Sequence, residues 1–207
     1  MTASASADST LLERAADILR RGGLVAYPTD TVYGLGADPR NDEAVRRLFE
    51  AKGRPAEQSV PLLIASADDL PRLAAEIPKA ARSMMDAFWP GALTIVLRKA
   101  ATFHSMAVGD TVGLRVPDHP VPRELSRLLG APITGTSANR AGGPEPLTAQ
   151  DVGSQLGKRV DLLIDGGRCP GGRPSTVVDC TVDPPRIVRE GGISREELVR
   201  VAGVTLA

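Results

Sequence analysis

The chain is 207 residues long and 42% apolar, with 25 basic residues against 25 acidic ones and only 3% aromatic content. That is enough apolar material for one well-buried α/β core, and the zero net charge excludes a global field that would draw the protein to nucleic acid or an anionic membrane, so any anion site must be local. No run of 18 apolar residues exists for a membrane helix, residues 1–8 lack the basic start and apolar stretch of a signal peptide, and a cytoplasmic protein is expected. Residues 1–9 read as a disordered tail and residues 10–207 as a single domain.

Thr10 with Glu13 forms a capping-box pattern, and Leu11, Leu12, Ala15, Ile18 and Leu19 repeat at helical spacing until Gly22-Gly23 stops them. The apolar run 24–27 then predicts a buried strand. A second helix is expected from Asn41, a good N-cap, to about Lys52, with Gly53 ending it. Next come a strand over 61–65, a helical stretch begun by Ser66 and interrupted by Pro71, and a helix over 78–88. Trp89-Pro90-Gly91 turns into a strand over 93–97, and residues 111–116 form another, halted by Pro117. After a helix over 121–129, closed by Gly130, the strand 132–136 opens into Ser137-Ala138-Asn139 and a loop that lasts to Pro146. Thr148 caps a helix to Leu156, and 161–164 is a strand leading into the glycine- and proline-rich stretch 165–174. Strands over 175–179 and 186–189 and a helix boxed by Ser194 and Glu197 complete the chain. Strands and helices alternate without a regular βαβ repeat, which predicts an α/β domain built on one twisted mixed sheet with helices on its faces.

Cys169 and Cys180 have no C-x-x-C spacing, and His104 and His119 are distant from both, so idle thiols and no structural zinc are expected. Neither the G-x-x-x-x-G-K-[ST] loop nor a helix-opening G-x-G-x-x-G is present. The segment Tyr27-Pro28-Thr29-Asp30-Thr31-Val32-Tyr33-Gly34 supplies hydroxyls and open amides beside a buried strand. Lys52 and Arg54 could orient phosphate oxygens, or could be solvated cations completing a helix C-terminus. Ser137 and Asn139 project from the carboxyl end of a strand, where ligands bind in open sheets. Arg115 lies in an apolar strand and needs a counter-charge if buried. A substrate carboxylate would serve, and so would an aspartate elsewhere in the fold. No nucleophile and base stand together, and both histidines read as structural, which favours chemistry by positioning and electrostatics, as in transfers at phosphorus.

Taken together, Pro28-Thr29-Asp30-Thr31-Val32-Tyr33-Gly34-Leu35, Lys52-Gly53-Arg54-Pro55, Trp89-Pro90-Gly91, Leu114-Arg115-Val116-Pro117, Thr136-Ser137-Ala138-Asn139 and Pro174-Ser175-Thr176-Val177-Val178-Asp179 resemble the YrdC-like family, and within it the threonylcarbamoyl-AMP synthases. The resemblance runs from about Leu11 to Val204 in the single-domain form. It implies a YrdC-like fold with a central basic cavity, in which L-threonine, bicarbonate and ATP yield threonylcarbamoyl-adenylate and pyrophosphate for a downstream tRNA threonylcarbamoyl transferase complex. By the same resemblance Lys52, Arg54, Ser137 and Asn139 are the catalytic group. Thr31, Arg115, Gly135 and Ser175 contact threonine, and Lys52, Arg54, Gln58, Thr111, Ser137 and Arg189 contact ATP. Mg2+ is expected with the nucleotide, with no protein ligand assigned to it. Two departures stand out: Pro61-Leu62-Leu63-Ile64-Ala65 lacks the histidine that relatives carry, and Glu145 stands where relatives often have a small hydroxyl. An RNA-binding module of the same fold with weak RNA affinity, or a related carbamoyl or adenylyl transferase acting on another substrate, are the alternative readings.

Overall fold

A computed structural model of the protein describes residues 9–54 and 59–207. The first helix, α1 (Ser9–Arg20), starts one residue before the expected boundary, so Ser9 belongs to the helix and Thr10 lies within it rather than capping it. Residues 1–8 of the expected tail lie outside the described residues. Helix α1 buries Leu12, Ala15, Ala16 and Leu19 along one stripe, as its spacing requires. Its chain enters β1 (Val25–Tyr27) and then β2 (Gly34–Gly36). Helix α2 (Asp42–Lys52) is set by its ends: Asn41 Oδ1 accepts from the amides of Glu43 and Ala44, and Gly53 takes the left-handed conformation that stops it.

Strand β3 (Leu62–Leu63) is followed by a 3-10 turn over Ala67–Arg72, which carries Pro71 inside it without interruption. Helix α3 (Lys79–Phe88) leads through Trp89-Pro90-Gly91 into β4 (Leu93–Arg98), which pairs with β5 (Thr111–Arg115). Helix α4 (Pro120–Leu129) is capped by His119, whose Nδ1 accepts from the Val121 amide at 3.2 Å. This gives that histidine a structural use. The remaining elements are β6 (Ile133–Thr134), β7 (Thr136–Ser137), α5 (Ala149–Gln155), β8 (Leu162–Leu163), β9 (Thr176–Asp179), β10 (Arg186–Arg189) and α6 (Arg195–Ala202). The expected Ser194–Glu197 capping box is formed, and Thr148, expected as a cap, makes a full box with Asp151. Cys169 and Cys180 are free and buried. Among the described residues no helix is long and apolar enough to cross a membrane.

The strands have the mixed polarity expected, but they divide between two sheets instead of forming one. The first has the order β7-β2-β1-β8 and the second β10-β9-β4-β5-β3-β6. The division happens inside the single strand predicted over 132–136. Strand β6 pairs with β3 in the six-stranded sheet, β7 pairs with β2 in the four-stranded one, and Gly135 alone joins them. Gly135 donates to the Pro61 carbonyl at 2.7 Å, and a Cβ there would sit 2.7 Å from Cγ and Cδ2 of Leu63. Only glycine lets the backbone pass that close. Strand β2 was not expected, because glycine disfavours strands. Its Gly34 and Gly36 leave room for the ring of Tyr27, which lies 2.7 Å from where either Cβ would be. Tyr27 is fully buried, and its hydroxyl donates to the Thr134 carbonyl at 2.7 Å, tying the two sheets together above Gly135.

Two apolar clusters flank this junction. Leu12, Leu19, Tyr27, Leu125 and Ile133 lie in the one that packs α1 and α4 against each other, α1 on β1 of the first sheet and α4 on β3 and β6 of the second. The larger one includes Leu48, Phe49, Met84, Ile95 and Leu198, from α2, α3, β4 and α6. Gly135→Ala should therefore overpack the junction and lower the unfolding free energy by about 1–3 kcal/mol, read as a reduced denaturant midpoint with an unchanged slope.

Candidate active site

Where the two sheets diverge from Gly135 they enclose a cavity of about 790 Å³. Every site residue expected from the sequence lines it except Gln58, which lies outside the described residues. Its described walls carry Lys52, Arg54, Arg115, Arg140 and Arg189 against one acidic side chain, Glu145. The cavity is basic although the chain as a whole is neutral.

Lys52 is not a solvated cation at a helix end. The residue is 3% exposed, and Nζ donates to the Ser137 carbonyl, to the Asn139 carbonyl at 2.9 Å and to Asn139 Oδ1 at 3.2 Å. An ammonium has three donors, and all three are used within the protein. Ser137 Oγ bonds Asn139 Oδ1 at 2.7 Å, Asn139 Nδ2 donates to the Gly143 carbonyl, and the Lys52 carbonyl accepts from Ala141 N. Lys52 thus acts as a strut that fixes the Ser137-Ala138-Asn139 turn and the loop after it. Burial, reinforced by the nearby Arg54, pushes its pKa down to about 8, while Glu145 opposes the shift. Arg54 itself is half-buried and its amide donates to the Phe49 carbonyl at 3.0 Å, but among the described residues its guanidinium makes no hydrogen bond or ion pair and faces the cavity uncommitted.

Arg115 forms the second group, and of the two counter-charges that the sequence left open, a substrate carboxylate or an aspartate, the structure shows the aspartate. Its counter-charge comes from the protein. Nη2 meets Asp30 Oδ1 at 2.5 Å, with both side chains largely buried. Nη1 donates to Thr31 Oγ1 at 3.1 Å, and Nε donates to the Gly91 carbonyl at 2.8 Å. The Trp89-Pro90-Gly91 turn therefore serves to present one carbonyl to this guanidinium. Thr31 Oγ1 also bonds Thr29 Oγ1 at 2.9 Å, and Thr29 Oγ1 donates to the Val32 carbonyl. Three of the five N–H bonds of Arg115 are occupied, which leaves two for a ligand.

The third group joins β4, β9 and β10. Thr94 Oγ1 and Ser175 Oγ are 2.8 Å apart, and Arg189 donates through Nε and Nη2 to the Ser175 carbonyl at 3.2 and 2.9 Å. Burial lowers the pKa of Arg189, with Glu145 acting in the opposite sense. Tyr33 also lines the cavity, and its hydroxyl donates to the Gly167 carbonyl and accepts from Gly166 N, holding the glycine-rich loop against the first sheet. Asp30, Gly91, Thr94 and Tyr33 are the residues that the sequence reading missed. All but Tyr33 act through a partner that the reading had found, and their only sequence signal was adjacency within the same short motifs.

Comparison with known proteins gives four relevant likenesses. The family described as Sua5_yciO_yrdC, Telomere recombination, matches residues 17–191. The threonylcarbamoyl-AMP synthase of Pyrococcus abyssi is 44% identical over 191 residues, which cover 91% of this chain and 56% of that protein. The threonylcarbamoyl-AMP synthase of Vibrio cholerae is 40% identical over 172 residues, 81% of this chain and 92% of that one. Among solved structures, P. abyssi Sua5 complexed with L-threonine superposes with a TM-score of 0.90 at 41% identity, covering 97% of this chain and 60% of the other. The chain spans little more than half the length of the Pyrococcus protein and nearly all of the Vibrio one.

The buried ammonium generates a pH test. Its folded pKa of about 8 lies below the ordinary 10.5. Between those values the unfolded chain binds the proton that the folded protein has released, so stability contributed at Lys52 rises with pH across that window and is lowest beneath it. The difference in unfolding free energy between wild type and Lys52→Met, measured by urea from about pH 7 to about pH 10, should shift toward the wild type as pH increases. A flat difference would mean that the folded pKa is ordinary.

Proposed function

Because the chain belongs to the Sua5/YciO/YrdC family, we propose that it is a cytoplasmic threonylcarbamoyl-AMP synthase, joining L-threonine, CO2 from bicarbonate and ATP into threonylcarbamoyl-adenylate with release of pyrophosphate. The observation that carries this reading is the convergence on one cavity of two different kinds of binding surface. One is a pocket of hydroxyls around a two-donor guanidinium edge, and the other is a set of cations around a rigid polar turn. The tRNA threonylcarbamoyl transferase machinery would consume the product.

The residues suit each step. Arg115 offers its two remaining N–H bonds to the amino-acid carboxylate, with Thr31 and the Thr94–Ser175 hydroxyl pair beside it. The threonine amine adds to CO2 and loses a proton, giving a carbamate. A carbamate oxygen then attacks the α-phosphorus, the bond to the β-phosphate oxygen breaks, and pyrophosphate leaves. Nucleophile and electrophile are both anionic, so cations fixed in place before reaction supply much of the stabilisation. Arg54 is the group suited to follow the charge that develops on the phosphoryl oxygens, because nothing described in the protein engages its guanidinium. Lys52 contributes its field and holds Ser137 and Asn139 in position.

A divalent cation on the nucleotide fits this donor set. Among the described residues no cluster of three or more His, Cys, Asp or Glu side chains could hold a metal ion unaided, while one carboxylate, Glu145, faces the cavity. Mg2+ is commonly held by one or two carboxylates together with phosphate oxygens. When bound, it would neutralise phosphate charge and so assist departure of pyrophosphate.

Pyrophosphate release should require ATP, L-threonine and bicarbonate together. Release that persists undiminished without threonine would overturn the assignment. Arg54→Ala should lower the rate about a hundredfold, the usual loss when one donor to a developing oxyanion is removed, with far-ultraviolet circular dichroism unchanged.

A further inference from the structure

Glu145 is the one residue whose charge runs against the rest of the described cavity wall. It is held there by the loop on either side of it. The Gly143 amide donates to the Arg140 carbonyl at 2.9 Å, Asn139 Nδ2 donates to the Gly143 carbonyl at 2.8 Å, and Gln155 Nε2 donates to the Pro144 carbonyl at 3.0 Å. On the other side the Pro146 carbonyl accepts from Tyr33 N at 2.8 Å. The loop is therefore anchored on the catalytic turn, on α5 and on the first sheet. The Glu145 side chain is exposed, and among the described residues no hydrogen bond or ion pair ends on its carboxylate. It nonetheless lies close enough to Lys52 and Arg189 to influence both. A carboxylate placed in that manner weakens the positive field of the wall without being consumed by a local partner.

Resting on the nucleotide-site reading above, we infer that Glu145 makes this cavity select the divalent-cation complex of its nucleotide over the metal-free anion. A metal-free triphosphate carries about two more negative charges than its Mg2+ complex, and a fixed carboxylate beside the phosphates repels the first more strongly than the second. The same carboxylate is the acidic group on the described wall able to face the bound cation, whose usual surroundings are phosphate oxygens, water and one or two carboxylates. Repulsion of the free anion and attraction of the metal act in one direction. A neutral hydrogen-bonding residue at this position would do neither.

Calorimetric titration of a non-hydrolysable ATP analogue, in excess Mg2+ and again in chelator, tests this without turnover. The wild type should prefer the metal complex. In Glu145→Gln the metal-free analogue should tighten about tenfold, while the metal complex gains nothing, so that the preference collapses by that factor. Glu145→Asp, which keeps the charge, should retain most of the preference. A Gln variant with the wild-type ratio would overturn the inference, as would one in which both forms tighten equally, since Glu145 would then act only as a counter-ion to the cations. Failure of the wild type to bind either form would instead overturn the nucleotide-site reading and this inference with it.

Discussion

Taking the Lys52 ammonium out of water costs several kcal/mol unless each of its N–H bonds finds an acceptor, and the acceptors here are the Ser137 and Asn139 carbonyls and the Asn139 side-chain oxygen. That requirement links the end of α2 to the turn after β7. It also determines much that follows, because the Asn139 amide then reaches Gly143 and the Lys52 carbonyl receives Ala141 N. The loop bearing Glu145 is in this way a continuation of the solution to one desolvation problem. A lysine left with a free N–H at this depth would have been a poor structural element and a more mobile ligand group.

Arg115 repeats the principle with a different partner set. Its charge is balanced by Asp30 and its orientation is fixed at Nε by the Gly91 carbonyl. Asp30 and Thr31 are adjacent, so one short segment supplies both the counter-ion and a hydroxyl. Ser175 and Thr94 face the cavity from β4 and the chain entering β9, whose parallel pairing sets their separation. The two buried cations have different consequences. Lys52 has its donors fully spent, whereas Arg115 keeps two, and only the second can meet a ligand through hydrogen bonds without rearrangement.

Most element positions were legible in the sequence because they are marked by local chemistry. Asn41, Gly53, Gly130, Thr148 and Ser194 each satisfy helix-terminal groups, and each is visible as a residue type at a boundary. What was not legible depends on pairs distant in sequence. Strand β2 is glycine at both ends because the Tyr27 ring crosses it, which no local preference reveals. The split of the strand after Pro132 between two sheets depends on β3 and β2 competing for adjacent residues. The site residues emerged from the combination of motifs, but the roles of Lys52 and Arg115 did not. Their key partners include the backbone carbonyls of Ser137, Asn139 and Gly91, and a carbonyl carries no signature of side-chain identity.

The single residue between β6 and β7 also has a mechanical meaning. Neighbouring Cα atoms are only about 3.8 Å apart along the chain, so near Gly135 the edges of the two sheets are bound as leaves are at a spine. Relative movement of the sheets must therefore be smallest there and grow with distance from it. The amide of Gly135 is fastened to Pro61, and Tyr27 pins the adjoining Thr134. Groups borne at the far margin, among them Arg189 on the edge strand β10, travel furthest for a given opening. The cavity thus has its seam at Gly135, and Arg189 stands on the strand at the opposite edge of the second sheet from that seam.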